Sequence, residues 1–248
     1  MKFSIITVSY NAASTIGDTL KSIADQSYHS IEHIIIDGAS SDDTSTIVAN
    51  FPHVSYYISE KDKGIYHAMN KGIELATGDV VGILNADDLY SHDDVLHKVA
   101  ELFKDSSVEA VYADLNFVDS IDTSKIKRKW RSGLYKVNDF YRGWMPPHPT
   151  FFVRRNVYTK YGQFNTVLNS SADYELMLRL LLKHEIKAVY LQDVIVNMRQ
   201  GGKSTASLKN RLKANQEDRM AWAMNGLKPH YFTLILKPFR KIKQFINI

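Results

Sequence analysis

The chain has 248 residues, 31 Lys and Arg against 27 Asp and Glu, and no cysteine. That length accommodates one large domain or two small ones with a sizeable core, and 44% hydrophobic with 23% charged residues is the balance of a soluble globular protein. The lack of cysteine excludes a disulfide framework, a thiolate metal site and a cysteine nucleophile, and no apolar run approaches the ~20 residues that a membrane span needs.

The net charge of +4 is unevenly spread. From Lys203 onward there are ten basic and two acidic residues; before it there are 21 basic and 25 acidic. A mildly acidic body thus carries a strongly basic tail, which suits an anionic partner. Met1-Lys2 runs directly into Phe3–Val8, too short for a secretory signal core, so a cytoplasmic location is expected.

The first 115 residues alternate two periodicities. Phe3–Val8 reads as a buried strand, and Ile16, Leu20 and Ile23 then mark one face of a helix. His33–Ile36 is a second strand, stopped by Asp37-Gly38. Residues 43–51 read as helix and Val54–Ser59 as extended. Ile65, Met69, Ile73 and Ala76 line a third helix, with Gly78 as its expected C-cap. Val80–Asn85 is the next strand. Ser91 with Asp94 predicts a capping box for a helix carrying Val95, Val99 and Leu102, and Ala110–Ala113 closes the series. Such alternation implies a mainly parallel sheet with helices on both faces, whose ligands bind beyond the carboxyl ends of the strands. Tyr10, Asp37 and the pair Asp87-Asp88 each follow a predicted strand and should converge on one crevice.

The pattern changes after residue 115. Residues 116–130 read as a hairpin with a basic strand at its end, which fits a solvated edge that resists aggregation. Trp144–Pro149 holds too much proline for regular structure. Phe151–Val153 is extended, residues 173–185 form a helix with Leu176, Met177, Leu180 and Leu181 inward, Lys187–Leu191 and Val194–Arg199 are two short strands, and residues 207–224 form a highly charged helix.

No Gly-x-Gly-x-x-Gly follows any strand, which disfavours a dinucleotide fold. Gly202-Lys203-Ser204-Thr205 imitates the end of a phosphate-binding loop, but Asn197 stands where that motif needs glycine; its remaining use is to offer Lys203 and backbone amides to a phosphate. Asp87-Asp88 is more informative. Adjacent carboxylates after an apolar strand repel each other unless they cap a helix or share a hard divalent cation with a substrate's phosphates.

Taken in order, these segments resemble the family 2 glycosyltransferases of the glycosyltransferase-A fold. The resemblance runs through Phe3–Asn11, Ile35–Thr44, Asp62–Gly72, Leu84–Asp88, His148–Phe152, Ala172–Leu176 and Arg199–Ser204. It covers about the first 205 residues and is closest to the soluble, single-domain members that build bacterial surface polysaccharides. It implies one α/β domain, a mixed, mainly parallel sheet flanked by helices, divided into a nucleotide-sugar-binding half (1–115), an acceptor-binding and catalytic half (116–205) and a helical basic tail (206–248). The implied activity is inverting transfer of a hexosyl or N-acetylhexosaminyl group, with UDP the expected nucleotide, to a glycan or lipid-linked acceptor of O-antigen, capsule or lipopolysaccharide.

By that resemblance Thr7, Ser9, Tyr10 and Asp37 hold the donor's nucleoside, Asp87 binds the ribose, and Asp88 binds the Mg2+ or Mn2+ that bridges the diphosphate. Asp173 is the implied general base, with Glu175 as fallback. Lys71, Arg199 and Lys203 are candidate donor contacts, and His148, after two prolines, is a candidate acceptor or diphosphate contact. The chain departs from many relatives at three places: Asn85 stands for Asp, Ala172 for an acidic residue and Met69 for Arg.

Two other functions compete. A nucleotidyltransferase would need a Gly-rich basic loop after the first strand, and residues 9–14 contain neither Gly nor a basic residue. A non-catalytic nucleotide-binding protein would have no use for both Asp88 and Asp173. Nucleic acid is not an expected partner. The last 21 residues hold five basic side chains, no acid and many apolar and aromatic ones. They suit a helix lying on the inner face of the cytoplasmic membrane, or one that packs on the domain or on a second copy in a homodimer.

Overall fold

The structure is a computed structural model that describes residues 1–201 and 208–233, the side chains of 208–214 excepted. The described residues contain nine strands: β1 Phe3–Ser9, β2 Ile31–Asp37, β3 Val54–Ser59, β4 Val80–Ile83, β5 Asp88–Tyr90, β6 Ala110–Val118, β7 Ile126–Trp130, β8 Phe152–Arg154 and β9 Ala188–Arg199. The helices are α1 Ile16–Ala24, α2 Thr44–Ala49, α3 Ile65–Leu75, α4 Val95–Leu102, α5 Arg155–Tyr161, α6 Ala172–Met177 and α7 Leu208–Met224. Short 3-10 turns occur at Val137–Arg142 and His148–Thr150, and α6 runs on into a π-helical turn, Leu178–Lys183.

The strands form one mixed sheet in the order β3-β2-β1-β4-β8-β6-β9-β5, with β7 beside β6. β3, β2, β1 and β4 are parallel, and β8 enters antiparallel between β4 and β6. The sheet is curled. β5 follows β4 after only four residues, a link of at most roughly 18 Å, yet it pairs with β9 at the far end of the strand order. Closing that path brings Asp88 back beside the ends of β1 and β4.

The central strands are buried on both faces, which is why they read as unbroken Ile/Val runs. Ile6, Val8, Ile34 and Ile36 pack with Met69 and Ile73 of α3, whereas Phe3 and Ile5 pack with Val95 and Val99 of α4. Ile35 meets Ile16 and Leu20 of α1. β6 runs through residue 115, so the two expected halves share a strand.

Several local expectations are corrected. Gly78 is not a C-cap; α3 ends at Ala76 in an extended conformation. Gly78 is needed for close approach, since a Cβ there would lie 2.7 Å from the Ser4 amide nitrogen and 2.8 Å from the Lys2 carbonyl oxygen. Ser91 and Asp94 make no capping box: Asp94 is the N-cap without a side-chain bond, and the Ser91 hydroxyl donates to the Val194 carbonyl. The two short strands predicted at 187–199 are one strand, interrupted only by register shifts opposite Ala113–Leu115. The charged helix α7 is part of the body and not of a tail. Trp222 is fully buried, and its Nε1 donates to the Tyr174 hydroxyl at 2.9 Å.

Candidate active site

The crevice lies where β1, β2 and β4 end. Ser9 pairs with Asp37 across β1 and β2, and the Ala86 amide donates to the Val8 carbonyl at 3.3 Å. Asp37, Ser9 and the Ala86–Asp88 turn therefore stand side by side. Two non-glycine residues at this rim, Asn11 and Ala39, have φ of 50° and 60°. Such left-handed backbone is uncommon and concentrates at functional loops.

Asp37 is fully buried. Its carboxylate accepts from Ser9 Oγ at 2.9 Å, Ser40 Oγ at 2.5 Å, the Ser40 amide at 2.8 Å and Ser59 Oγ at 2.7 Å. Burial works to raise its pKa, but the bonds from Ser40, Ser59 and Ser9 outweigh it and hold the carboxyl below its ordinary value. Asp37 thus braces the 37–41 turn, and Tyr10 stands beside Gly38 at this rim, 57% exposed. Thr7 does not face the crevice. It is fully buried two residues before Ser9 on β1, with its hydroxyl 3.0 Å from His33 Nε2.

The helix-cap reading of the carboxylate pair is overturned: Asp88 begins a short strand. Asp88 is fully buried, and neither carboxylate oxygen has a hydrogen-bond partner. Burial and then the Asp87 charge push its pKa well up; the Arg199 amide and the Asn85 side chain lie close enough to oppose this without reaching hydrogen-bond geometry. Two orphaned buried oxygens demand a partner. Mg2+ or Mn2+ fits that demand, because a hard cation takes oxygen donors and commonly completes its shell with substrate phosphates and water. No group of three or more His, Cys, Asp or Glu side chains suited to a metal occurs among the described residues, so the protein's share would be Asp88, with Asp87 beside it.

Arg199 is 6% exposed and bridges Asp18 of α1 to the Asp87 carbonyl, the latter at 2.9 Å. It therefore braces the carboxylate turn. Lys71 is committed elsewhere, with Nζ 2.6 Å from Glu60 and 2.5 Å from Asp62. Lys203 lies outside the described residues.

Asp173 stands in the first turn of α6, with Ser171 as N-cap. Tyr66 of α3 donates its hydroxyl to Asp173 Oδ1 at 3.2 Å, and His148 Nδ1 lies 3.7 Å from Oδ2. His148 Nε2 is in turn 3.3 Å from Asn85 Nδ2. Polar groups thus succeed one another from Asn85 through His148 and Asp173 to Tyr66, and the Asn85 side chain also lies near Asp88. Packing of the His148 ring lowers its pKa, although the Asp173 and Asp87 carboxylates work against that. Glu175 does not join this line. Two residues on along a helix it faces elsewhere, buried in a bidentate pair with Arg179 at 3.1 and 2.9 Å and accepting from Asn225 at 3.1 Å.

Sequence reasoning missed Glu217. Its Oε2 accepts from the amides of Asn169, Ser170 and Ser171 at 3.1, 2.7 and 3.1 Å and from Ser170 Oγ at 2.9 Å, which fixes the loop leading to Asp173. The only sequence signal is an acid within a predominantly basic helix.

A family model described as glycosyl transferase family 2 matches residues 4–162. The uncharacterized glycosyltransferase Rv1514c of Mycobacterium tuberculosis is 31% identical over 188 residues, 72% of this chain and 68% of that protein. A PGL/p-HBAD biosynthesis glycosyltransferase of Mycobacterium bovis is 29% identical over 204 residues, 81% of this chain and 77% of that protein. Among solved structures, S. aureus TarS in complex with UDP-GlcNAc has a TM-score of 0.70 at 17% identity, covering 91% of this chain and 65% of that one. The mannosyltransferase PcManGT of Pyrobaculum calidifontis, in complex with GDP-Man and Mn2+, has a TM-score of 0.66 at 21% identity, covering 95% and 68%. These two share its fold, the single curled-sheet domain of the glycosyltransferase-A type. With the family model spanning well over half of its length, the chain belongs to glycosyl transferase family 2.

Proposed function

We propose that the protein is a metal-dependent, inverting glycosyltransferase that moves a sugar from a nucleotide sugar to a hydroxyl of a glycan or lipid-linked acceptor. The observation that carries this reading is the pair of unpartnered oxygens of buried Asp88, near the Asn85 side chain from which polar groups lead through His148 to Asp173. The nucleotide sugars named with TarS and PcManGT, and the Mn2+ named with the latter, support the donor class and the cation.

Tyr10 would stack on the nucleobase at the exposed rim, and Ser9 and Asp37 would hold the turn beneath it. Asp87 would take the ribose. Asp88 would hold the cation, which when bound offsets negative charge on the departing nucleoside diphosphate. Asp173 would accept the acceptor hydroxyl's proton as its oxygen attacks the anomeric carbon opposite the leaving group. One such displacement inverts the anomeric configuration.

We extend the proposal to location. No helix among the described residues is long and apolar enough to cross a membrane. Tyr231 and Phe232, 98% and 67% exposed, lead toward residues 234–248, which lie outside the described residues. The apolar and basic content of that segment supports peripheral attachment to an anionic membrane surface, where lipid-linked acceptors reside.

The test is a panel of UDP- and GDP-sugars with Mg2+ or Mn2+, reading nucleoside diphosphate release. One donor turned over with metal and silent in chelator is expected; equal turnover in chelator, or no donor bound at all, would overturn the reading.

A further inference from the structure

Tyr66 and Asn70 lie one helical turn apart on α3, in the segment 62–72, and both reach into the half of the molecule that carries Asp173. The Tyr66 ring is 9% exposed and stacks on Phe164, with centroids 5.6 Å and planes 22° apart. Asn70 grips the backbone of the same Phe164: Nδ2 donates to its carbonyl at 2.9 Å, and Oδ1 accepts from its amide at 3.0 Å. The phenol that donates to Asp173 Oδ1 therefore sits in a seat closed by its own stacking partner. Burial, then the Asp173 charge, push the Tyr66 phenol far above its ordinary range, so it remains a donor.

The other oxygen of Asp173 is placed differently. Oδ2 faces His148 Nδ1 at 3.7 Å, too far for a hydrogen bond. Asn85 Nδ2 lies 3.3 Å from His148 Nε2. With Asn85 Nδ2 as the donor, Nε2 accepts and the ring proton resides on Nδ1, facing Asp173. The two atoms bracket a notch. An oxygen about 2.8 Å from each completes a triangle with ordinary hydrogen-bond sides.

We propose that Tyr66 is a positioning residue that occupies Asp173 Oδ1 and leaves Oδ2 as the proton-accepting oxygen, with the acceptor hydroxyl seated between Oδ2 and His148 Nδ1. This rests on the reading of Asp173 as general base. In the step, the hydroxyl accepts from His148 Nδ1–H and gives its own proton to Oδ2. Its oxygen pair forms the new bond to the anomeric carbon while the bond from that carbon to the diphosphate oxygen breaks. His148 loses no proton. Because α3 packs its Met69 and Ile73 against β1 and β2, the orientation of the base is tied to the donor-side sheet.

The test is a double-mutant cycle. Tyr66→Phe keeps the ring and its stack and removes only the hydroxyl. With the panel donor turned over fastest, and water as acceptor, its kcat should fall roughly 10-fold with donor KM unchanged, while the thermal midpoint falls by only the few degrees that one lost hydrogen bond costs. In an Asp173→Asn background the same change should cost nothing further, since the two act as a unit. An equal loss in both backgrounds, or no loss in either when Asp173→Asn is itself slow, overturns the inference. If Asp173→Asn alone turns over normally, the general-base reading fails instead. A crystal structure of Tyr66→Phe then decides the positioning: a carboxylate that leaves its native orientation supports it, and one that stays contradicts it.

Discussion

Arg199 donates from Nη1 to the carbonyl oxygen of Asp87 at 2.9 Å and from Nη2 to the Asp18 carboxylate, so one guanidinium joins the end of β9, α1 and the turn carrying both carboxylates. It is a nearly buried cation beside a buried, unpartnered carboxylate. Arg199→Met keeps the stem and removes the fork. Urea unfolding should show a loss of about 1.5–3 kcal/mol, the range for hydrogen bonds to charged groups, together with weaker metal-linked nucleotide binding. Arg199→Lys should recover little, because an ammonium cannot bridge both acceptors. Wild-type stability and binding in Arg199→Lys would remove the brace from the account.

Glu217 holds the loop that leads to Asp173. Its four donors all lie in residues 169–171, so Glu217→Ala takes the acceptor from three backbone amides, of which that of Ser171 is buried. A loss of about 1–3 kcal/mol is expected, most of it from the Ser171 amide. Nucleotide affinity should hold while turnover falls, since the loop leads to Asp173 and not to the donor rim. Glu217→Gln, which keeps an accepting oxygen, should be intermediate in both. A fall in nucleotide affinity as large as the fall in turnover would contradict this division.

The His33–His53 pair makes stability sensitive to acid. His33 lies 3.0 Å from Thr7 Oγ1 and 3.1 Å from His53 Nε2, with Ser55 Oγ accepting its amide. Burial, then His53, lower the His33 pKa to about 3, and burial lowers that of His53 too. The unfolded value is about 6.5. A base held down in the folded state contributes in full above about pH 6.5, and that stability is lost as pH falls toward 3, at about 1.4 kcal/mol per unit. Glu32 acts in a lower window: burial opposes, but bonds from Lys2, Ser4 and Thr77 lower its pKa to about 2, so its share is lost only below about pH 4.5. Between pH 7 and 5 urea unfolding should therefore lose about 2 kcal/mol, and His33→Gln should flatten that slope. An unchanged slope would contradict the assignment.

The tail prediction concerns residues 234–248. Thr233 is buried and donates to the Tyr141 carbonyl at 2.7 Å, so truncation beyond it spares the docked part. The intact protein should sediment with vesicles containing anionic lipid, less so as salt rises, and truncation after residue 233 should abolish this. Indifference of the intact protein to such vesicles at low salt would make the tail a packing element.

The donor-side sheet was legible because Phe3–Val8 and His33–Ile36 are apolar runs with sharp polar stops, and burial on both faces writes itself into such runs. β5 was not legible: three residues have no period, and their pairing with β9 depends on the curl of the whole sheet. Gln192-Asp193 looked like a gap between strands, yet the pairing continues past them. For the site, motif order identified the neighbourhood but not the face. Asp173 and Glu175 are indistinguishable by composition, and only the helix turn separates the crevice from the Arg179 pair. Lys71 and Arg199 read as phosphate contacts because their partners Glu60, Asp62, Asp18 and Asp87 meet them through the fold. Glu217 and Tyr66 act on residues about 46 and 107 positions away, beyond any local pattern.

The central claim is that Asp88 lies buried without a partner because a cation completes it. Calorimetric titration of the wild type and Asp88→Asn with UDP and GDP, with Mn2+ and with chelator, measures this most directly. The account predicts that wild-type binding requires metal and that Asp88→Asn loses the metal dependence along with most of the affinity. The metal-free variant should also be more stable than the wild type by about 1–3 kcal/mol, because a buried carboxyl without a hydrogen-bond partner, set against Asp87, has been removed. Equal nucleotide affinity with and without metal in the wild type, or an undiminished metal dependence in Asp88→Asn, would contradict it.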